Sequence, residues 1–101
     1  METTLLSWDD LLEALLPLVG RTIWTTVNSE GYCLADFALP LRAVVVDHNP
    51  GTGIEEARLM YGNGKGSVTL RKEVFGGMLR RPSGRLVIEQ GHWRLRLELA
   101  E

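Results

Sequence analysis

After Gly20 the apolar residues stop recurring at helical spacing and begin to fall at every second position, in short runs separated by turn residues. No other feature constrains the fold as strongly, because a period of two commits most of the chain to strands with one buried face. Upstream of the switch, Ser7 followed by Asp9 and Asp10 reads as a helix start. The hydroxyl can accept from a free backbone N–H, and the carboxylates sit where the helix dipole favours negative charge. Leu6 and Leu11 are spaced to staple the entry, and Trp8, Leu11, Leu12, Leu15 and Leu16 form one apolar face. Pro17 disfavours helical geometry at Leu16, so the helix is expected to stop there.

Downstream, "RTIWTTV" (21–27), "YCLADF" (32–37) and "LRAVVVD" (41–47) read as strands, with turns at "NSEG" and "HNPGTG". "IEEARLMY" (54–61) is ambiguous, since Thr52 and Glu55 have capping-box spacing, but the strand reading is preferred. It would turn at Asn63-Gly64 into "SVTLRKEVF" (67–75). Last comes a hairpin of "RLVIEQ" (85–90) and "HWRLRLEL" (92–99). The expected fold is α+β: an N-terminal helix packed on a strongly bent antiparallel sheet, or a partly open small barrel, of five to seven strands. Residues 1–101 are read as a single domain.

With 45% hydrophobic and 24% charged residues the chain has an ordinary globular balance, which argues against a disordered or fibrous segment. A core of this size is thin, so self-association into a homo-oligomer would be a natural source of further stability. Cys33 is the single cysteine, which rules out an intrachain disulfide and a thiolate zinc cluster. "METTLLSWDD" lacks the basic start and apolar run of a secretory signal, and no stretch is apolar enough to span a bilayer. A cytoplasmic location and no membrane association are therefore expected. The net charge of −2 hides an asymmetry: residues 1–57 carry two basic and nine acidic residues, residues 58–101 nine basic and four acidic.

"YGNGKGS" (61–67) has the flavour of a phosphate loop, but Lys65 is followed by Gly66, and Leu59 stands where the first glycine of a Walker loop belongs. Residues 67–75 alternate as a strand rather than opening a helix, so the segment is read as a turn. Cys33, His48, His92, Asp36 and Asp47 are the residues from which catalysis could be built. Cys33 alternates with Ala35 and Phe37 and reads as an inert core thiol. Asp47 and His48 point to opposite sides of an extended chain, and two histidines make an incomplete zinc set. His48 reads as a polar turn residue and His92 as a surface histidine beside Glu89. No nucleophile, base and orienting group can be assembled, so neither catalytic residues, metal nor cofactor is expected.

Two features point to binding. If Gln90-Gly91 is the two-residue turn of the last hairpin, Arg85 faces Arg96 and Val87 faces Arg94. One face is then apolar, and the other carries Arg85, Val87, Glu89, His92, Arg94, Arg96 and Glu98, with Arg80 and Arg81 in the preceding loop extending a basic surface. Trp24 shares a face with Thr22 and Thr26; the plain reading covers it with the helix, and the functional one makes it an interface anchor. The expected function is non-catalytic binding of a protein partner, with self-association compatible. The first alternative is nucleic acid or another polyanion bound by Arg80, Arg81, Arg85, Arg94 and Arg96, which the acidic chain and the lack of interleaved aromatics oppose. The second is a small-ligand binder or enzyme with its site in the barrel mouth.

Overall fold

A computed structural model describes residues 3–62, 66–80 and 84–100. Among the described residues one α-helix and eight strands run in order: β1 (Thr3–Leu6), α1 (Trp8–Leu15), β2 (Thr22–Ser29), β3 (Tyr32–His48), β4 (Glu55–Tyr61), β5 (Ser67–Arg71), β6 (Phe75–Arg80), β7 (Arg85–Gln90) and β8 (Trp93–Leu99). The strands form one open antiparallel sheet in the order β1-β6-β7-β8-β2-β3-β4-β5. The α+β class with one short N-terminal helix is thus as expected. Among the described residues the strands number eight rather than five to seven, and they form an open sheet rather than a small barrel.

Three local causes account for the count. "TTLL" pairs with β6 as an extra edge strand, its Thr4 opposite Leu79. Residues 67–75 split at a single 3-10 turn, Lys72–Val74, which separates β5 from β6. The runs 32–37 and 41–47 are one strand of 17 residues. Pro40 does not end it, because that is where β3 changes partner: its pairing with β2 finishes at Thr22↔Pro40, and its pairing with β4 starts at Leu41↔Tyr61 beside a bulge. A residue with no N–H is tolerated where the ladder is already interrupted. Residues 54–61 are strand, as preferred; the Asn63-Gly64 turn lies outside the described residues.

The helix starts as its sequence dictates. Ser7 Oγ accepts from the Asp10 N–H at 3.1 Å, and Asp10 Oδ2 accepts from the Ser7 N–H at 3.3 Å, a reciprocal capping box. Pro17 sits in the 3-10 turn Leu16–Leu18 that closes it. Trp8, Leu11 and Leu15 join Ile23, Leu41, Leu59, Leu70, Leu86, Ile88, Leu95 and Leu97 in one buried cluster. Leu16, expected on this face, is 65% exposed, because the α-helix ends before it and the tighter turn rotates it outward. The Trp8 indole N–H donates to Glu55 Oε1 at 2.7 Å, tying helix to β4, and its ring meets Phe75 edge to face at 5.4 Å. Phe75 lies over Gly77, where a Cβ would come within 2.5 Å of the ring, so this position in β6 accepts only glycine without repacking.

Inside the core, Thr25 Oγ1 and Tyr61 Oη are 2.8 Å apart and both residues are buried. Burial pushes the Tyr61 phenol above its ordinary 10.0, and the Thr25 hydrogen bond offsets part of that. Replacing Tyr61 with phenylalanine leaves the Thr25 hydroxyl without its partner and is expected to cost about 1–2 kcal/mol; adding Thr25→Val should recover part of the loss. Urea melts of the two variants check this. The native state holds the Tyr61 proton more tightly than the unfolded chain does. Its contribution is therefore fully present below pH 10 and is lost as pH rises from there toward the folded pKa, a slope Tyr61→Phe should lack.

Candidate binding surface

The sheet's outer face is organised by β8, and its register turns on the last hairpin. The two turn residues are Gly91 and His92, not Gln90 and Gly91: Gln90 pairs with Trp93, Glu89 with Arg94 and Val87 with Arg96. Gly91 has φ +60, the requirement at the first central position of a type II′ turn, whereas the sequence reading sets it second. The correction moves the register by two residues, so the side chains that stay in the two strands keep their expected faces while acquiring new neighbours, and His92 passes into the turn. Arg85 and Arg96 do not face one another.

Three rows cross β7, β8, β2 and β3 on this outer face. In the first, Glu89 is opposite Arg94, Arg94 opposite Asn28, and Asn28 opposite Cys33. In the second, Val87, Arg96, Thr26 and Asp36 succeed one another. In the third, Arg85 reaches Glu98, which is opposite Trp24, itself opposite Ala38. The arginines are matched by carboxylates: Arg94 Nη2 lies 2.7 Å from Glu89 Oε1 and Arg85 Nε 3.3 Å from Glu98 Oε2. Arg96 is half-buried and makes no ion pair among the described residues. With Arg85, Arg94 and Arg96 against Glu89, Glu98 and Asp36, the described part of the face is balanced, not basic. Arg81 lies outside the described residues, and for Arg80 only its backbone pairing with Thr3 and Arg85 is described.

Trp24 is 51% exposed, so the helix does not cover it. It shares its face with Thr22 and Thr26 as alternation requires, but that face is the outer one, and α1 packs on the other. Asp36 Oδ1 accepts from both the Trp24 indole N–H and the Thr26 hydroxyl, which fixes the indole on the sheet surface. The sequence singles out Asp36 only as a carboxylate for catalysis. It is brought opposite Thr26 by a bulge between Val27 and Asn28, where Leu34 is the extra residue on β3. The bulge also turns Cys33 outward, so the thiol expected in the core is exposed. A shallow groove of about 510 Å³ runs beside these rows, lined in part by Asn28, Glu30, Glu89, Arg94 and Arg96.

The remaining chemistry-bearing residues do not converge. His48 Nε2 is 3.8 Å from Glu55 Oε2 at the end of β3, and His92 is in the β7–β8 turn, where its carbonyl accepts from Ser29 Oγ at 3.2 Å. Glu89 pairs with Arg94 rather than with His92. Among the described residues no group of three or more histidine, cysteine or acidic residues is placed to hold a metal, and no helix is long and apolar enough to cross a membrane.

The element order and the single open sheet define an α+β fold in which one N-terminal helix packs on a continuous antiparallel sheet. Among solved structures, the crystal structure of the Bacillus subtilis YojF protein shares that fold, with a TM-score of 0.63 over 98% of this chain and 95% of that one, at 10% identity. At that identity the likeness concerns fold alone. No family model matches the chain, and no curated protein matches it.

Proposed function

We propose that the chain is a non-catalytic protein-binding module whose contact surface is the outer face of β8, β2 and β3, centred on Trp24. The observation that carries this reading is an indole 51% exposed yet held in place by Asp36. A large aromatic left in water on a rigid strand is costly unless something covers it, and tryptophan and arginine dominate interface energetics. Because Asp36 fixes the ring beforehand, less side-chain entropy is lost on binding. Arg96 lies one row away, beside Thr26, as a second anchor, and the paired charges of Arg85, Arg94, Glu89 and Glu98 form a polar rim that adds little net charge. A second copy of the chain is one such partner. A reducing cytoplasm suits the exposed thiol of Cys33.

The polyanion reading rests on Arg80, Arg81, Arg85, Arg94 and Arg96. Two of these are engaged with carboxylates, which weakens it. Light scattering separates the readings: the solution mass of wild type, Trp24→Ala and Arg96→Glu is measured at about 50 and 200 mM salt, with and without a pool of short nucleic acids. A defined oligomer that persists in salt, is indifferent to nucleic acid and is lost in Trp24→Ala is the expected result. Truncating such an anchor should cost about 2 kcal/mol of binding, roughly 30-fold, and the half-exposed ring should leave folding stability within about 1 kcal/mol of wild type. A salt-sensitive mass increase with nucleic acid, lost in Arg96→Glu and kept in Trp24→Ala, would overturn the proposal.

A further inference from the structure

β5 is an edge strand, and the alternation of its ladder identifies the backbone groups on the open side. The Tyr61 N–H donates to the Gly66 carbonyl at 3.2 Å, so the hydrogen-bonded pairs between β4 and β5 continue as Leu59/Val68 and Ala57/Leu70. The N–H and C=O groups of Ser67, Thr69 and Arg71 therefore point away from β4. Those of Arg71 are satisfied by a side chain: its N–H donates to Gln90 Oε1 at 2.7 Å, and its C=O accepts from Gln90 Nε2 at 3.1 Å. The Gln90 amide thus stands where the peptide of a neighbouring strand would stand. Among the described residues only one rung is filled in this way, and the next two, Thr69 and Ser67, are open.

What borders the open rungs differs on the two faces. On the inner side is a mainly apolar cleft of about 480 Å³ lined in part by Val27, Leu34, Phe37, Val68 and Trp93, with Ser29, Ser67 and Thr69 also bordering it. On the outer side Arg58 is opposite Thr69, exposed and without an ion pair among the described residues, next to the Arg71–Glu56 pair. A strand laid along β5 would send alternate side chains to these two environments.

We propose that β5 receives an extended segment of a partner protein by strand addition, continuing the ladder that Gln90 begins. Its sequence alternates apolar residues, which enter the cleft, with acidic residues, which meet Arg58. Main-chain bonds to Thr69 and Ser67 supply affinity, and the alternation supplies specificity. This site is separate from Trp24.

The test selects displayed random decapeptides on wild type, with counter-selection on Thr69→Pro. Among the described residues the Thr69 N–H makes no bond, so the proline removes the docking donor and leaves the ladder with β4 intact. Enriched peptides are expected to alternate apolar and acidic residues, to slow exchange of the Ser67 and Thr69 amides in wild type, and to lose about tenfold or more in affinity on both Thr69→Pro and Arg58→Glu while binding Trp24→Ala unchanged. Absence of enrichment over the counter-selection would overturn the proposal. So would peptides that leave those amides exchanging freely or that depend on Trp24. Protection that arises from raising the concentration of the chain alone would also overturn it, since the occupant would then be a second copy. Amide exchange and Arg58→Glu keep the outcome decisive even if Thr69→Pro melts early.

Discussion

Replacing Gln90 with leucine is expected to destabilise the fold by about 3 kcal/mol and to lower Tm by about 15 °C. Gln90 is 2% exposed and joins β7 to the end of β5, two strands that are not neighbours in the sheet. Leucine fills similar space but returns neither hydrogen bond, leaving the Arg71 N–H and C=O against an apolar side chain instead of their amide partner. Each orphaned group costs about 1–3 kcal/mol, and the apolar replacement offsets part of the sum. Gln90→Glu sharpens the test. An ionised carboxylate can accept from Arg71 but cannot donate to its carbonyl, whereas the protonated acid can do both. Burial and the facing carbonyl raise the pKa of a carboxyl placed there above the ordinary value of about 4.3. Stability relative to wild type should therefore be best below that value and fall as pH rises through the raised pKa. Urea melts of both variants alongside wild type, at acidic and neutral pH, read the two effects.

Leu11→Ala is expected to cost about 3–4 kcal/mol, the range for deleting a leucine side chain that cannot be replaced by collapse of its surroundings. Leu11 is fully buried in the cluster that α1 shares with the sheet, and the capping box fixes the helix so that it cannot slide to close the void. Five residues on, Leu16 is the control: at 65% exposure, Leu16→Ala should fall within about 0.5 kcal/mol of wild type. A loss at Leu16 comparable to that at Leu11 would mean that the helix buries a different face.

Which parts of this fold are legible in the sequence depends on how local their causes are. The capping box, the stop at Pro17 and the period-two alternation act within a few residues, so α1 and most strands can be read directly. The C-terminal hairpin shows the intermediate case. Its faces come out right because they depend only on parity, and its pairing comes out wrong because Gly91 opens a type II′ turn instead of closing the one expected. Features set across the sheet are not legible. β3 runs through Pro40 because it exchanges β2 for β4 there, and the bulge at Leu34 reverses the parity that would place Cys33 in the core. Trp24 illustrates the same limit at the candidate site. Alternation assigns it to the Thr22–Thr26 face, but which face the helix covers is decided by the whole sheet.

The most direct test of the binding account places a photo-reactive benzophenone side chain at Ala38, the cross-strand neighbour of Trp24, and a control at the exposed Leu16, at the end of α1 on the other side of the sheet. Irradiation in extract is predicted to join position 38 to a defined protein, or to a second copy of the chain, with the adduct lost in Trp24→Ala and absent from position 16. Equal adducts from both positions, adducts to nucleic acid, or a pattern indifferent to Trp24→Ala would contradict it.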